Sequence, residues 1–338
     1  MSNWEAGEFQ AGDERHVLRL FQSVFGHERS LAHWIWEFLD CPAGRGITYL
    51  ARAGNRVVGQ YTVVPVEMVA RGKTILGAQS VDTMTATDFR RQGIFEGLAR
   101  LTFERCRKLG VDLVYGFPNQ NSYQGFVSKL GFESVASVRE FRFRLDWKRL
   151  IADRRPKSVV RSLATEYIQM LRTSGTPVKG LETVQSFTEE HDELWKRVSK
   201  TIALGVAKTS AYLSWRYLKR PHSTYRIFQI RDSGRVEGVA VWKCEPEWAS
   251  LVDMITDTDL VEQQLLRAIV KEAKKAGCHF LRGWVLDRGL NQKSLFESFP
   301  IAAEPTVLIS KSPTGALAVR SIRSAGDWRV HWGDSDGI

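Results

Sequence analysis

The residues best placed to do chemistry lie in a short polar stretch, Thr87-Asp88-Phe89-Arg90-Arg91-Gln92-Gly93. It sits between a strand-like run ending at Thr85 and a helix-like run beginning at Ile94. In that helix Ile94, Leu98 and Leu101 recur at steps of four and three, the spacing of one buried face. The N-terminus of a helix presents unbonded backbone N–H groups and about half a positive charge. Gly93 lets a ligand approach the backbone closely, and Arg90 and Arg91 add two cationic forks. These residue types at this junction make a cradle for linked phosphates.

Downstream, an apolar run from Val111 to Phe117 leads into Pro118-Asn119-Gln120-Asn121-Ser122-Tyr123, and then Lys129-Leu130-Gly131-Phe132. Tyr123 offers a phenol, and Asp82, on the strand before the loop, offers a carboxylate. Metal chemistry has no support. The seven histidines show no ligand spacing, and Cys41, Cys106, Cys244 and Cys278 form no CxxC pair. Free thiols in a reducing cytoplasm fit better than a disulfide framework.

The elements that must position these residues come in two copies. Trp36-Glu37-Phe38-Leu39-Asp40-Cys41-Pro42 is answered by Trp215-Arg216-Tyr217-Leu218-Lys219-Arg220-Pro221, and Arg56-Val57-Val58-Gly59 by Arg235-Val236-Glu237-Gly238. Both blocks share one offset of 179 residues, so a duplicated unit is expected. A looser match sets Asp82-Thr83-Met84 against Asp253-Met254-Ile255, and Lys108-Leu109-Gly110 against Lys275-Ala276-Gly277. In the first copy the patterns predict helices over 13–25 and 31–39, the second stopped by Pro42. They predict a hairpin over 48–64 with its turn at 53–55, a strand to Thr85, a long helix to about 109 and a buried strand over 111–115. Strand, helix and apolar strand in succession read as α/β with partly parallel pairing. Three segments follow: 1–147, a connector over 148–180 with a helix near 158–171, and 181–338.

Here the chain resembles a known family. Arg-x-x-Gly-x at the strand–helix junction, followed by the Asn-Gln-Asn-Ser-Tyr and Lys-Leu-Gly-Phe text, looks like the GNAT N-acetyltransferases. The resemblance is to the longer Eis-like, tandem kind, with a degenerate second copy. It implies tandem folds, each a mixed central sheet with a splayed parallel strand pair and flanking helices. It implies acetyl-CoA as co-substrate and a small-molecule amine as acceptor. Backbone groups of Thr83, Met84 and Thr85 would pair with the pantetheine arm. Arg90, Arg91, Gln92, Gly93, Ile94 and Phe95 would hold the diphosphate. Asn119 would lie in the splayed opening, where the thioester sits, with Ser122 beside it.

The pattern is broken at three places. The family has a small residue where this chain has Phe95. The tyrosine that acts as acid in many members falls at Val127, leaving Tyr123 one turn earlier as its substitute. The position of a frequent glutamate base is Gln79, leaving Asp82 as a candidate base, although its counterpart Asp253 also suits a structural role. Eis-like members use the chain terminus near the acceptor, which makes Asp334 and Asp336 lesser candidates. Phe95 and Phe126 could also line a tunnel for a longer acyl donor.

In the second copy four residues are missing where Arg90 to Gly93 stand in the first, so coenzyme binding is expected to be lost there. The chain of 338 residues, with net charge +10, is expected to favour anionic partners. It carries no helix-turn-helix, zinc or RNA-recognition signature, so nucleic acid is not an expected partner. No apolar run is long enough to span a membrane and no secretory leader is visible, so a cytoplasmic protein is expected. The expected function is acetyl transfer to an amine, and the resemblance makes an amino sugar or sugar nucleotide of surface polysaccharide the first acceptor. The alternative is a non-catalytic module that binds acyl-CoA. Oligomeric state is not legible.

Overall fold

The computed structural model describes residues 3–145, 178–286, 306–315 and 324–335. The expected connector helix near 158–171, and Asp336, lie outside the described residues.

In the first half, strand β1 (Glu5–Glu8) precedes helices α1 (Glu14–Phe25) and α2 (Leu31–Phe38). Strands β2 (Ile47–Ala53), β3 (Arg56–Ala70) and β4 (Lys73–Thr85) follow as an antiparallel meander. Helix α3 (Ile94–Lys108) then crosses to β5 (Leu113–Gly116), parallel to β4. Helix α4 (Gln120–Ser128) leads to β6 (Glu133–Arg144). The second half repeats this order. Strand β7 (Leu181–Thr183) and helix α5 (Glu189–Val198) come first. Next are β8 (Leu204–Val206) and α6 (Ser210–Leu213), which runs on as a π-helical turn over Ser214–Leu218. Then come β9 (Arg226–Asp232), β10 (Arg235–Glu245), β11 (Trp248–Thr256), α7 (Asp259–Lys275), β12 (Phe280–Leu286), β13 (Thr306–Lys311) and β14 (Trp328–Arg329).

The duplication is visible in three dimensions. Strands β2 and β9 begin and end at positions 179 residues apart, and β3 and β10 begin at the same separation. Ser30 caps α2 by accepting from the His33 amide, and Thr209 caps α6 by accepting from the Tyr212 amide. The indole of Trp36 donates to the carbonyl of Trp215, and the indole of Trp215 donates to the carbonyl of Trp36, each at 2.8 Å. Their rings stack at 5.1 Å. A residue and its own repeat counterpart exchanging one bond is the signature of a two-fold axis, here within one chain.

The two mixed sheets expected from sequence join into one. Its main path runs β1-β2-β3-β4-β5-β13-β6-β12-β11-β10-β9-β7, which reads the same from either end once each strand is replaced by its counterpart. The last strands are exchanged. β6 pairs along β12 of the other half, and β13 pairs with β5. Alternation along β6 then sends Phe141 and Phe143 into the second-half core beneath α7, whereas Leu308 and Ile309 of β13 join the first core. Each half therefore buries apolar side chains supplied by the other.

All four cysteines are free thiols, and the Sγ atoms of Cys244 and Cys278 lie 3.2 Å apart. Among the described residues, no helix is long and apolar enough to cross a membrane.

Candidate functional site

The parallel pair β4–β5 is bonded only over Gly77–Gln79 against Leu113–Tyr115. Beyond that register the strands part, and Ser80 to Thr85 keep their ladder to β3 while their other edge faces a gap. The β3–β4 ladder slips between Gln60 and Thr62, so that Asp82 and Thr83 together oppose Tyr61. This bulge puts Asp82 at φ 47°, a left-handed conformation uncommon outside glycine. The Thr83 hydroxyl is buried beside it with no hydrogen-bond partner among the described residues. Gln60 steadies the bulge by donating to the Asp82 carbonyl at 3.3 Å.

Past Thr85 a single 3₁₀ turn over Thr87–Phe89 leads to the polar loop. Arg91 (φ 63°) and Gly93 (φ 77°) are both left-handed, which turns the backbone N–H groups of the loop toward one side. A methyl group on Gly93 would meet nothing within 4 Å, so the space over the loop is open. Helix α3 starts at the next residue, and the amides of its first turn add to the array. Arg90, Arg91 and Gln92 are exposed, and neither arginine has an ion-pair partner among the described residues. Trp4 ties the loop down by donating to the Gln92 carbonyl at 3.2 Å. Gly59 lies directly under Ile94, whose side chain would occupy the place of a Cβ there, so the helix start sits hard on the sheet. Met84 and Ile94 bury their side chains and can offer only backbone to a ligand.

Helix α4 forms the other wall. Asn119 is its N-cap, accepting from the Ser122 amide at 3.0 Å, and the Ser122 hydroxyl bonds back to Asn119. The capping oxygen is thereby occupied, and the Asn119 –NH2 group is what remains to donate. One turn on, the Tyr123 hydroxyl meets Ser134 on β6 at 2.6 Å. Phe95 does not enter the opening. It packs edge-on against Phe126 at 5.5 Å and against Gly125, as part of an aromatic cluster with Tyr61, Phe103 and Phe132.

The structure separates Asp82 from proton chemistry. Its carboxylate is held by both arms of the Arg29 guanidinium, which also bonds Glu37 at 3.1 Å and stacks on Phe21 at 4.0 Å. A carboxylate in a two-armed pair is a poor proton acceptor, because protonation would strand the cation. Asp253 repeats the arrangement. It is buried against Lys208 at 2.6 Å, the Tyr217 hydroxyl at 2.6 Å and His331 at 3.1 Å. The ammonium holds the Asp253 carboxyl far below the usual range despite burial, which acts the other way. Lys208 stands 179 positions after Arg29, so both halves conserve a cation–aspartate pair under the bulge. Asp334 belongs to this network as well, bonded to Lys208 and to the His331 amide. The chain end is fastened there by Arg216, which donates to the Gly333 carbonyl at 2.9 Å and to that of Ser335, and by Tyr115, whose hydroxyl donates to the Asp334 carbonyl at 3.2 Å.

The second half carries its own parting of strands. β11 and β12 pair only over Trp248–Ser250 against Phe280–Arg282. The helix that follows has no arginine loop. Thr258 caps α7, and Asp259 and Glu262 occupy its first turn. The four residues missing opposite Arg90–Gly93 are the sequence signal for this.

Residues 6–135 match the family model described as an acetyltransferase (GNAT) domain. Among solved structures, a probable N-acyltransferase of Enterococcus faecalis V583 is similar over 92% of this chain and 73% of its own, with TM-score 0.67 and 13% identity. A GCN5-related N-acetyltransferase of Anabaena variabilis is similar over the same shares, with TM-score 0.66 and 13% identity. The N-myristoyltransferase of Saccharomyces cerevisiae, solved with bound myristoyl-CoA, covers 92% of this chain and 79% of its own at TM-score 0.59 and 14% identity. At these identities the likeness is one of fold. No curated protein matches the chain.

Proposed function

From a chain whose residues 6–135 form a GNAT acetyltransferase domain, and which is an acyltransferase taking acyl-CoA as co-substrate, we propose an acetyl-CoA-dependent N-acetyltransferase with one working opening. The observation that carries this reading is the pairing of a strand edge left open at Ser80–Thr85 with a left-handed loop at Arg91 and Gly93. The residues present suit the co-substrate. Backbone groups of Thr83, Met84 and Thr85 lie on the strand edge that β5 leaves open. Amides from Arg91 to Phe95, with the Arg90 and Arg91 side chains, hold a diphosphate.

When bound, the thioester supplies an activated acyl carbon. The acceptor amine, as the free base, attacks that carbon, and the C–N bond forms as the C–S bond breaks. A backbone N–H of the bulged edge steadies the oxygen that takes up charge. Tyr123 donates its hydroxyl proton to the departing sulfur and regains one through Ser134 and solvent. The amine's surplus proton leaves to solvent. Asn119 orients the start of α4 through its cap. Asp82 is a positioning residue here, keeping the bulge in place through Arg29. The second half, over about 181–338, retains the fold without coenzyme binding and shapes the acceptor side. An amino sugar or sugar nucleotide of surface polysaccharide is the first acceptor to try.

The test is thiol release from acetyl-CoA against a panel of amines that includes amino sugars. Tyr123→Phe is expected to lower kcat by roughly 100-fold with little change in KM. The replacement of the usual acid and base positions by Val127 and Gln79 favours one other reading, a module that binds acyl-CoA without transfer. Binding of acetyl-CoA with no turnover on any amine would establish that reading instead.

A further inference from the structure

The second half holds two thiols in contact. Cys244 lies near the end of β10 and Cys278 just ahead of β12, 34 positions later, yet their Sγ atoms are 3.2 Å apart. The local fold brings them together. Alternation along β10 turns Ala240, Trp242 and Cys244 to the face that α7 covers. Gly277, left-handed at φ 82°, closes the end of α7, and the Cys278 amide bonds back to the Ala273 carbonyl at 2.9 Å. The next two amides, of His279 and Phe280, both donate to the Glu247 carbonyl in the β10–β11 turn. Cys278 is thereby pinned beside the end of β10.

Packing does not require this pair. Pro65 faces Ala78 across its ladder as Cys244 faces Ala249, and Ala78 faces Val114 as Ala249 faces Leu281. These registers make Pro65 the counterpart of Cys244 and Val111 that of Cys278, so the first half fills the same place with buried residues that carry no sulfur. The two thiols differ in access. Cys278 is buried, and burial, with the Cys244 sulfur beside it, pushes its thiol up to about 12, although Arg226 acts the other way. Cys244 is half-buried and is the sulfur that solvent reaches. Cys41 and Cys106 are buried, the first against the Pro65 carbonyl at 2.9 Å, and neither touches another cysteine among the described residues.

We propose that Cys244 and Cys278 are an oxidation site, which hydrogen peroxide converts into an intramolecular disulfide. The Cys244 sulfur, as thiolate, attacks the peroxide. The O–O bond breaks, one oxygen stays on sulfur as a sulfenic acid, and the other leaves as water. The Cys278 sulfur then attacks the sulfenic sulfur and gives up its proton. The S–S bond forms as the S–O bond breaks, and a second water departs. Two thiols lose two electrons between them, and one peroxide is reduced to two waters. From van der Waals contact the sulfurs need to approach by only about 1 Å, on backbones that the helix end and the turn already hold. The bond closes a ring containing β11 and α7, which restricts the unfolded chain. The site stands on the second half and does not depend on acyl transfer.

Treatment of the reduced full chain with hydrogen peroxide, followed by non-reducing digestion and mass spectrometry, tests the site. The expected result is loss of two of the four thiols and of two hydrogen atoms in mass, with a peptide joining Cys244 to Cys278. The urea midpoint should rise on oxidation and return to its starting value with dithiothreitol. Cys244→Ser should keep Cys278 as a thiol and lose that rise. Cys278→Val, which installs the residue of the first half, should leave Cys244 to take up oxygen instead. A native chain that gains oxygen at Cys244 without the link, that links either residue to Cys41, to Cys106 or to a second chain, or that keeps four thiols at a peroxide concentration sufficient to oxidise free cysteine would overturn the proposal. Because no acyl-CoA is present, failure of the acyl-transfer reading would leave this outcome untouched.

Discussion

Two openings in one continuous sheet stand in matching positions of the two halves and differ mainly in the few residues after the first-half strand. In the first, β4 ends in a loop with two left-handed residues and two arginines before α3. In the second, β11 runs almost directly into a Thr258-capped helix whose first turn is acidic. Everything beneath is shared: the parallel pair that parts after three residues, the bulge, the cation–aspartate pair, and a glycine under the helix start. The parting of the strands is thus common to both halves, whereas the loop that follows it is not.

The cation–aspartate pairs break the comparison most sharply. Lys208 is almost fully buried between Asp253 and Asp334, so Lys208→Met should cost about 3–5 kcal/mol by leaving two carboxylates unpaired. Arg29 is more exposed, at 14%, and Arg29→Met should cost less, about 1–3 kcal/mol. Urea denaturation of the two variants measures the difference, and equal losses would mean that the terminal segment adds nothing.

Glycines at the helix starts separate fold from function. A Cβ on Gly59 would strike Ile94, and one on Gly238 would strike Val261 at 2.5 Å. Either residue changed to Val should lose about 1–3 kcal/mol by overpacking. Only Gly59→Val should also weaken acyl-CoA binding, since only α3 carries the cradle. A binding titration beside each melt reads both effects.

The axis itself can be probed at the tryptophans. Trp36→Phe and Trp215→Phe each remove one reciprocal bond and should cost about 1 kcal/mol. The double variant should depart from the sum by about 0.5 kcal/mol or more, because the residues touch.

The smallest effect is an asymmetry with pH. His33 occupies the position of Tyr212 in the other copy. Burial, with the Arg220, Arg29 and Arg216 guanidiniums, pushes its imidazole down to about 4. Glu37 lies 3.7 Å from the ring and would act the other way, but three surrounding guanidiniums outweigh one carboxylate that Arg29 already holds. The unfolded chain takes up the proton near its ordinary value of about 6.5, so stability from this group is complete above that pH and falls as pH drops toward 4. The loss is expected between pH 7 and 4.5, where the unfolded chain takes up the proton and the folded chain does not. His33→Gln should flatten that part of the profile in urea midpoints.

Much of this was readable from residues alone. The 179-residue offset was read from the Trp36/Trp215 and Arg56/Arg235 blocks, and β3 and β10 begin at that separation. The strand–loop–helix junction at Arg90–Gly93 was readable because helix starts and glycine have local meanings. What was hidden is non-local. An alternating strand pattern does not say which edge it will join, so the exchange of β6 and β13 left no trace in sequence. The Arg29–Asp82 pair spans 53 residues, and nothing near Asp82 announces it. Asp334 read as a loose acidic end and lies buried on Lys208, because the terminal segment returns across the sheet. Phe95 read as a break in the cradle pattern and turns inward to fill the space beside Gly125.

The stoichiometry of acyl-CoA binding puts the division of labour to the most direct test. The account predicts one molecule per chain by calorimetry, with affinity reduced by roughly 100-fold or more in Arg91→Glu/Gly93→Asp, since each charged hydrogen bond contributes about 1.5–3 kcal/mol. Two molecules per chain, or an affinity that the double variant leaves unchanged, would contradict it.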